Sequence, residues 1–198
     1  MALNSVPDEE TSYPSLITAL CERDAYTRDH CDRVCSLALE VGRAAGLSAT
    51  SLKALRIASQ LHDIGKIGVR DDVLLKPGKL TPDEWEEMKA HSTLGERIIN
   101  ETFLSNRDEV ALIVRHHHES FDGSGYPDEL VGERIPESCR VLLIVDAYDA
   151  MTTGRPYHKA RSHHETLDIL SNEVGTKLDP VFFAQFLRIV ETHAIGAK

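Results

Sequence analysis

Hydrophobic residues recur at intervals of three and four along most of the chain, which is the spacing of the buried face of an α-helix. The segment 27–45 shows this most clearly, with one apolar face made of Val34, Leu37, Ala38 and Val41. No stretch alternates between apolar and polar residues as a half-buried strand would. The run VLLIV follows Pro136 and precedes DAYDAM, a setting that favours a helix over a buried strand.

Capping residues predict where the helices begin and end. Gly46 suits the C-cap of the first long helix, and Ser48 suits the N-cap of a helix that ends near Gly65. Further starts are predicted at the capping box Thr81 with Glu84, near Asp108 for a helix that runs to Glu119, at Pro136, at the capping box Ser162 with Glu165, and at Asp179-Pro180. Residues 68–80 read as a loop, because Pro77-Gly78 forms a turn.

The pattern predicts an all-α fold with one domain over residues 14–196, preceded by a polar, flexible leader over residues 1–13. In the last helix, the residues predicted to face inward are Val181, Phe182, Phe186 and Ile189.

The four cysteines form no C-x-x-C pair, which favours reduced, buried thiols. No apolar stretch resembles a signal peptide or a membrane span, so a cytoplasmic protein without membrane attachment is expected.

The net charge of the 198-residue chain is −10, which argues against DNA or RNA as a partner because such binding needs a basic surface. The charge does not exclude a small anionic substrate, since bound metal ions can make one site locally positive. The ten histidines are therefore more informative than the charge.

Residues of metal-ligand type fall on five successive predicted helices. They are His30, then His62 and Asp63, then His91, then His116, His117 and His118, and then Asp146 and Asp149. Taken singly, a helical histidine is usually a core or surface residue, and we interpret His163, His164 and His193 as surface residues. Helical bundles, however, build di-metal sites from side chains on facing helices.

About five histidines with two aspartates exceed the needs of one tetrahedral zinc ion. The set suits two ions about 3.5–4 Å apart with room for a bridging hydroxide, an arrangement that hydrolyses phosphate esters. The spacing of the triple histidine does not decide which of its members point toward such a site, because all three fall within one helical turn.

Four sequence stretches, occurring in one order over about residues 16–187, resemble an HD-GYP domain, a branch of the HD phosphohydrolases. They are RDAYTRDHCDRV, LHDIGKIGVRDDVLLKPGKLTPDEWEEMKAH, HHESFDGSGYP and VDAYDAMTTGRPY, followed by a late LDP. The resemblance implies an HD-domain helical bundle with a di-metal site in its interior. Its activity would be hydrolysis of cyclic di-GMP by a metal-bridging hydroxide, giving linear pGpG, while the sequence leaves open whether GMP is a further product.

The resemblance also implies roles for individual residues. The implied metal ligands are His30, His62, Asp63, His91, His117, His118 and Asp146. Asp63 would bridge the ions and act in catalysis together with Lys66. The implied substrate-binding residues are Lys66 and Arg155, with His158 and Lys159 nearby, and the signature loop comprises Asp122, Gly123, Gly125, Tyr126 and Pro127. The family pattern H-H-E aligns with His117, His118 and Glu119 and leaves His116 as the extra residue.

Two positions depart from the family pattern. Tyr26 stands where some members have a glutamate that helps to hold a third metal, so two divalent ions are expected, iron or manganese before nickel, zinc or magnesium. His158 stands where some members have a Lys or Arg that contacts phosphate, and Lys159 is the candidate substitute.

Three other functions stay open at this point. The first is hydrolysis of 3′,3′-cyclic GMP-AMP, because no base-reading residue can be identified. The second is a cyclic-dinucleotide receptor or interaction module with little turnover, and the third is a generic HD phosphohydrolase. The signature loop could bind a protein partner, and a homodimer is possible.

Overall fold

The computed structural model describes residues 13–23, 27–153 and 160–196. Its α-helices are α1 (Pro14–Arg23), α2 (Thr27–Ala44), α3 (Ala49–Leu61), α4 (Asp71–Leu74), α5 (Pro82–Lys89), α6 (His91–Asn100), α7 (Arg107–His116), α8 (Glu137–Thr152), α9 (His163–Asn172) and α10 (Pro180–Gly196). Two 3-10 helices cover Ile64–Gly68 and Gly132–Arg134. The described ranges contain one isolated β-bridge and no strand, which confirms the all-α prediction.

The bundle is organised around α2, which packs against α3 and α8, while α3 also packs against α7. The apolar face predicted for α2 lies in this core, where Val34, Ala38 and Val41 are fully buried and Leu37 is half-buried. Burying one such side chain contributes about 1.5–3 kcal/mol. The helices that carry the candidate histidines are therefore held at fixed distances by a continuous core.

The predicted caps are present. The Ser48 hydroxyl accepts a hydrogen bond from the backbone N–H of Ser51 at 3.0 Å. Thr81 forms the expected capping box with Glu84 at the start of α5, and Ser162 does the same with Glu165 at the start of α9. These caps pair N–H groups in the first turn that have no partner within the helix.

The prediction of a loop over residues 68–80 is wrong in part. Residues Asp71–Leu74 form the short helix α4, with Val73 buried beneath it. Two acidic residues in its first turn, Asp71 and Asp72, favour helix formation there through the helix dipole. The helix predicted to end near Gly65 instead ends at Leu61 and is followed by the 3-10 helix Ile64–Gly68.

A helix break at Ala90 separates α5 from α6 and makes His91 the first residue of α6. Side chains after the break compete with the helix hydrogen bonds, because Ser92 and Thr93 donate their hydroxyls to the carbonyls of Lys89 and Ala90. This break sets the position of His91.

One further helix boundary and one buried helix face differ from the prediction. The helix expected to run to Glu119 ends at His116, so His117 and His118 follow its last turn. In α10, Val181 is 66% exposed and Phe183 is buried in its place, because the buried face of this helix runs through Phe182, Phe183, Phe186 and Val190.

All four cysteines are free thiols. Cys31, Cys35 and Cys139 are buried as predicted, whereas Cys21 is half-buried. Across the described ranges, no helix combines the length and apolarity needed to cross a bilayer.

Candidate metal centre

Seven of the residues singled out in the sequence meet in the interior of the bundle. His30 comes from α2, His62 and Asp63 follow α3, His91 begins α6, His117 and His118 follow α7, and Asp146 lies on α8. His30, His62, His91 and His117 are each no more than 2% exposed. The histidines are therefore largely buried, whereas the side chain of Asp146 is 18% exposed, and the site depends on the packing of five helices.

One half of the cluster, called the α2–α3 group, is made by His30, His62 and Asp146. The Nε2 atom of His30 lies 3.4 Å from Nε2 of His62 and 3.2 Å from Oδ1 of Asp146. The Nε2 atom of His62 lies 3.7 Å from the same carboxylate oxygen. Two ligand atoms about 2.1 Å from one ion lie roughly 3.0–3.5 Å apart, so these atoms can hold one metal ion with small adjustments.

The other half, called the α6–α7 group, is made by His91, His117 and His118. The Nε2 atoms of His91 and His117 are 3.3 Å apart. One ring nitrogen of each of the three histidines lies within 4.8 Å of the others. Three imidazoles converging on one point suit a first-row transition metal.

The carboxylate of Asp63 lies between the two groups. Its Oδ2 atom is 3.6 Å from Nε2 of His62, and its Oδ1 atom is 3.7 Å from Nε2 of His91. Lys66 places its ammonium nitrogen 2.6 Å from Oδ2 of the same carboxylate. Asp63 therefore directs one oxygen toward each histidine group, with a cation one turn further along the chain.

The Nδ1 atoms of the histidines are engaged by the surrounding protein. Those of His62, His91 and His117 face the backbone carbonyls of Ser59, Met88 and Val114, respectively, each three residues upstream of its histidine, at distances of 2.7–2.9 Å. Because a carbonyl can only accept, each Nδ1 carries the hydrogen and each Nε2 is left with its lone pair. The donor set that converges on the centre is thus prepared to bind metal ions.

The electrostatics of the two groups differ. Burial lowers the pKa values of His117 and His118 well below the ordinary range, and the neighbouring histidines lower them further. For His30, burial also acts to lower the pKa, but the carboxylates of Asp146 and Asp149 outweigh it and raise the pKa to about 9. Burial would raise the pKa of Asp63, but Lys66 and His62 hold it well below its usual range.

Gly65 allows the segment HDIGK to pack closely against α6. A methyl group at this position would overlap the carbonyl oxygen of His91 and would lie 2.5 Å from the backbone nitrogen of Gly95. Only glycine allows the 3-10 helix to approach α6 this closely. The approach brings Asp63 and Lys66 within reach of His91.

The structure separates His116 from the two residues that follow it. Its Nε2 atom lies 2.8 Å from Oδ2 of Asp128, and its Nδ1 atom lies 3.0 Å from the carbonyl of Leu112. Arg115 binds both oxygens of Asp128 at 2.7 Å. His116 thus belongs to an ion-pair network outside the bundle centre, whereas His117 and His118 point into the centre.

The signature loop residues form a turn beside the α6–α7 group. Asp122 accepts a hydrogen bond from the N–H of Ser124 at 2.9 Å, and Gly123 has a positive φ of 86°. A side chain at Gly125 would overlap the backbone of Ser120, and the Tyr126-Pro127 peptide bond is cis.

Buried Glu119 anchors the far side of this loop. Its two oxygens accept the backbone N–H groups of Asp128 at 2.7 Å and Leu130 at 3.0 Å. The ring of Tyr126 is thereby held 4.8 Å from the ring of His118, centroid to centroid. Glu119 contributes to loop geometry and does not face the histidine cluster.

Four residues of the sequence-based interpretation lie outside the described residues. They are Tyr26, where a glutamate would support a third metal, and Arg155, His158 and Lys159, which were expected near the substrate phosphate. Their roles stay predictions.

Sequence reasoning noted Asp149 as a residue of metal-ligand type without assigning it a role, and it missed Arg33. Asp149 contacts His30, and Arg33 donates to both oxygens of Asp149 at 2.7 and 3.0 Å. The available signal was the helical spacing of three residues that separates Asp149 from Asp146 and Arg33 from His30. The backbone carbonyls that orient the other histidines cannot be identified from the sequence, because every residue has one.

The sequence model of the HD domain family matches residues 14–182 of this chain. Among curated proteins, the chain is 38% identical over 180 residues to the cyclic di-GMP phosphodiesterase response regulator RpfG of Xanthomonas campestris pv. campestris. That alignment covers 90% of this chain and 48% of the relative. The chain is also 34% identical to the 3′3′-cGAMP-specific phosphodiesterase 3 of Vibrio cholerae, over 88% of this chain and 37% of the relative.

Among solved structures, a cyclic GMP-AMP specific phosphodiesterase of V. cholerae matches 82% of this chain with a TM-score of 0.65 and 21% sequence identity. The match covers 44% of that structure's chain, and at this identity it supports the fold alone. The present chain spans about half or less of the length of the curated relatives described above.

Proposed function

Since the chain belongs to the HD domain family, and to its HD-GYP branch, we propose that it is a metal-dependent phosphodiesterase that cleaves a cyclic dinucleotide. The leading substrate is cyclic di-GMP, and the product is linear pGpG. The observation that carries the proposal is the position of Asp63, whose two oxygens face two separate groups of histidines. Such an arrangement suits a pair of metal ions sharing one carboxylate.

The proposed cofactor is two divalent ions, with iron or manganese the best match to a histidine-rich donor set. One ion would be held by the α2–α3 group and the other by the α6–α7 group, with Asp63 as the shared ligand. When bound, such ions lower the pKa of water and stabilise charge on the attacking and leaving oxygens of a phosphodiester.

Lys66 and Asp63 have distinct proposed tasks. The ammonium group of Lys66, 2.6 Å from Asp63, is close enough to bind a phosphate oxygen beside the centre and to donate a proton to the leaving oxygen. Arg155 is proposed as a second phosphate-binding residue, with Lys159 compensating for His158. The low pKa of Asp63 keeps its carboxylate charged at neutral pH, as a shared metal ligand requires.

Two relatives favour different substrates, which defines the second candidate. One is named as a cyclic di-GMP phosphodiesterase and the other as specific for 3′3′-cGAMP. We propose cyclic di-GMP first because the identity to RpfG is higher. A receptor without turnover is not favoured, because both relatives are named as phosphodiesterases. A protein partner at the signature loop, a homodimer and a cytoplasmic location stay proposals.

The test is metal analysis of anaerobically purified protein, followed by chromatography of products from cyclic di-GMP, 3′,3′-cyclic GMP-AMP and cyclic di-AMP. The expected result is close to two metal equivalents and a linear dinucleotide from cyclic di-GMP. Asp63→Asn should lose metal and activity, while Asp168→Asn, on the exposed side of α9, should retain both. Metal-loaded protein that leaves every cyclic dinucleotide intact would overturn the proposal.

A further inference from the structure

A row of aromatic rings leads from the candidate metal centre to the protein surface. The ring of Tyr126 lies 4.8 Å from that of His118 at an interplanar angle of 32°. The ring of Trp85 lies 6.2 Å from that of Tyr126 in an edge-on arrangement at 82°. Trp85 is 47% exposed, so the row begins at a buried histidine of the cluster and ends on an accessible indole.

The orientation of α5 is fixed by polar contacts that leave Trp85 out of the core. Glu84 pairs with Lys76 at 2.6 Å, and Glu87 accepts the backbone N–H of Arg70 at 3.1 Å. These contacts hold one side of α5 against residues 70–76. None of the residues of α5 is buried, and Trp85 leaves about half of its surface open to a ligand.

The side of α5 that faces the signature loop also carries a positive charge. Lys89, one helical turn after Trp85, places its ammonium nitrogen 5.8 Å from the centre of the Tyr126 ring. Lys89 also pairs with Glu86 at 2.9 Å. An exposed indole next to a lysine and a second ring has the composition of sites that bind a nucleic-acid base by stacking.

Building on the proposed function, we propose that Trp85 is a substrate-binding residue that stacks on one purine base of the cyclic dinucleotide. The scissile phosphate would meanwhile lie at Asp63 and Lys66. A cyclic dinucleotide carries its bases on the outside of a small ring of sugars and phosphates, so a base can reach the surface while a phosphate is buried. Stacking on an indole tolerates different purines, so Trp85 would favour dinucleotides over small diesters without selecting guanine over adenine.

The first test uses the fluorescence of the protein, because Trp85 is its sole tryptophan. Metal-loaded protein is titrated with a slowly hydrolysed phosphorothioate analogue of cyclic di-GMP. Saturable quenching of the tryptophan emission, with a midpoint close to the inhibition constant of the analogue, is the expected result. Inhibition by the analogue with unchanged emission would overturn the proposal.

The second test separates base binding from a structural role. Trp85→Ala should raise the KM for the cyclic dinucleotide roughly ten- to hundredfold, as expected for the loss of one stacked base. Trp85→Phe should restore most of this loss. The kcat/KM for bis(p-nitrophenyl) phosphate, which has no purine, should stay within about twofold of the parent.

A matched control is Phe103→Ala, which removes a 75% exposed ring between α6 and α7 and should leave all these constants unchanged. Equal losses on the dinucleotide and on the small diester in Trp85→Ala would mean that Trp85 only supports the fold, and the proposal would be wrong. If the parent protein cleaves no cyclic dinucleotide, the proposed function fails, whereas quenching by the analogue still decides the role of Trp85.

Discussion

The Nδ1 atom of His30 lies 2.7 Å from Oδ2 of Asp149, although the two residues are 119 positions apart in the chain. Arg33 donates to both oxygens of the same carboxylate and holds it in place. Because Nδ1 of His30 donates to Asp149, its Nε2 atom is directed toward His62 and Asp146. A carboxylate behind a metal-binding histidine fixes both the tautomer and the angle of the ring.

Replacing Asp149 should weaken metal binding without removing a proposed ligand. Asp149→Ala is expected to lower the affinity of the α2–α3 group roughly 10–100-fold, the usual effect of losing such a partner. Competition with a chromophoric chelator measures this. Asp168→Ala makes the same change of charge at an exposed position and should have no effect. Equal affinities for the Asp149 and Asp168 variants would exclude this positioning role.

The two metal sites should respond differently to pH. In the metal-free protein, the carboxylates of Asp146 and Asp149 hold the pKa of His30 at about 9 against the effect of burial, so His30 is protonated at pH 7. A metal must displace this proton, whereas His117 and His118, with pKa values lowered mainly by burial, are already neutral. Binding to the α2–α3 group should therefore tighten as pH rises toward 9.

Calorimetric metal titrations at pH 6.5 and 8.5 test this difference. The affinity for the metal ion at the α2–α3 group should rise roughly hundredfold between these pH values, since each displaced proton contributes about tenfold per pH unit. The affinity for the metal ion at the α6–α7 group should change much less. Binding at neutral pH should also release a proton, measurable with an indicator in weakly buffered solution. If the affinities for both metal ions changed equally with pH, the assignment of the pH-dependent site to the α2–α3 group would be wrong.

Two glycines of the 3-10 helix Ile64–Gly68 form a matched pair for testing how the centre is built. A methyl group at Gly65 would overlap the carbonyl of His91, whereas one at Gly68 would meet only the end of the Leu94 side chain at 2.9 Å. Gly65→Ala should cost about 2–3 kcal/mol of the free energy of unfolding and should reduce metal content, while Gly68→Ala costs less.

Thermal unfolding distinguishes the two glycine variants, since Gly65→Ala should lower the Tm of a domain of this size by roughly 4–12 °C and Gly68→Ala by less. Indistinguishable Tm values would show that the 3-10 helix can move away from α6 at little cost. In that case the close approach would not be what positions Asp63.

The triple histidine gives a further test. His116→Ala should leave the metal content unchanged, because this side chain binds Asp128 outside the cluster. His117→Ala should lose about one metal equivalent, since its Nε2 atom lies beside that of His91. Elemental analysis of the two purified variants provides the measurement, and metal loss from His116→Ala would reverse the assignment.

The local sequence predicted most of the helices, because helix formation depends on residue spacing and on caps within a few positions. Ser48, Thr81 and Ser162 cap helices as expected, and the apolar face of α2 is buried as predicted. The errors occur where side chains or distant contacts override local preference. The exposure of Val181 is an example, since it depends on which face of α10 packs against α2 and α8. The break at Ala90, on which the sequence made no prediction, is set by the hydroxyls of Ser92 and Thr93.

For the candidate centre, the sequence by itself identified seven side chains with the right chemistry and the family to which they belong. It did not determine that His116 turns away, that Asp149 and Arg33 support His30, or that Trp85 and Tyr126 lie side by side. Residue type fixes which atoms can bind a metal, and motif spacing is visible along one chain. Distances between groups on different helices are set by core packing, so only the tertiary structure decided which nitrogen and oxygen atoms converge.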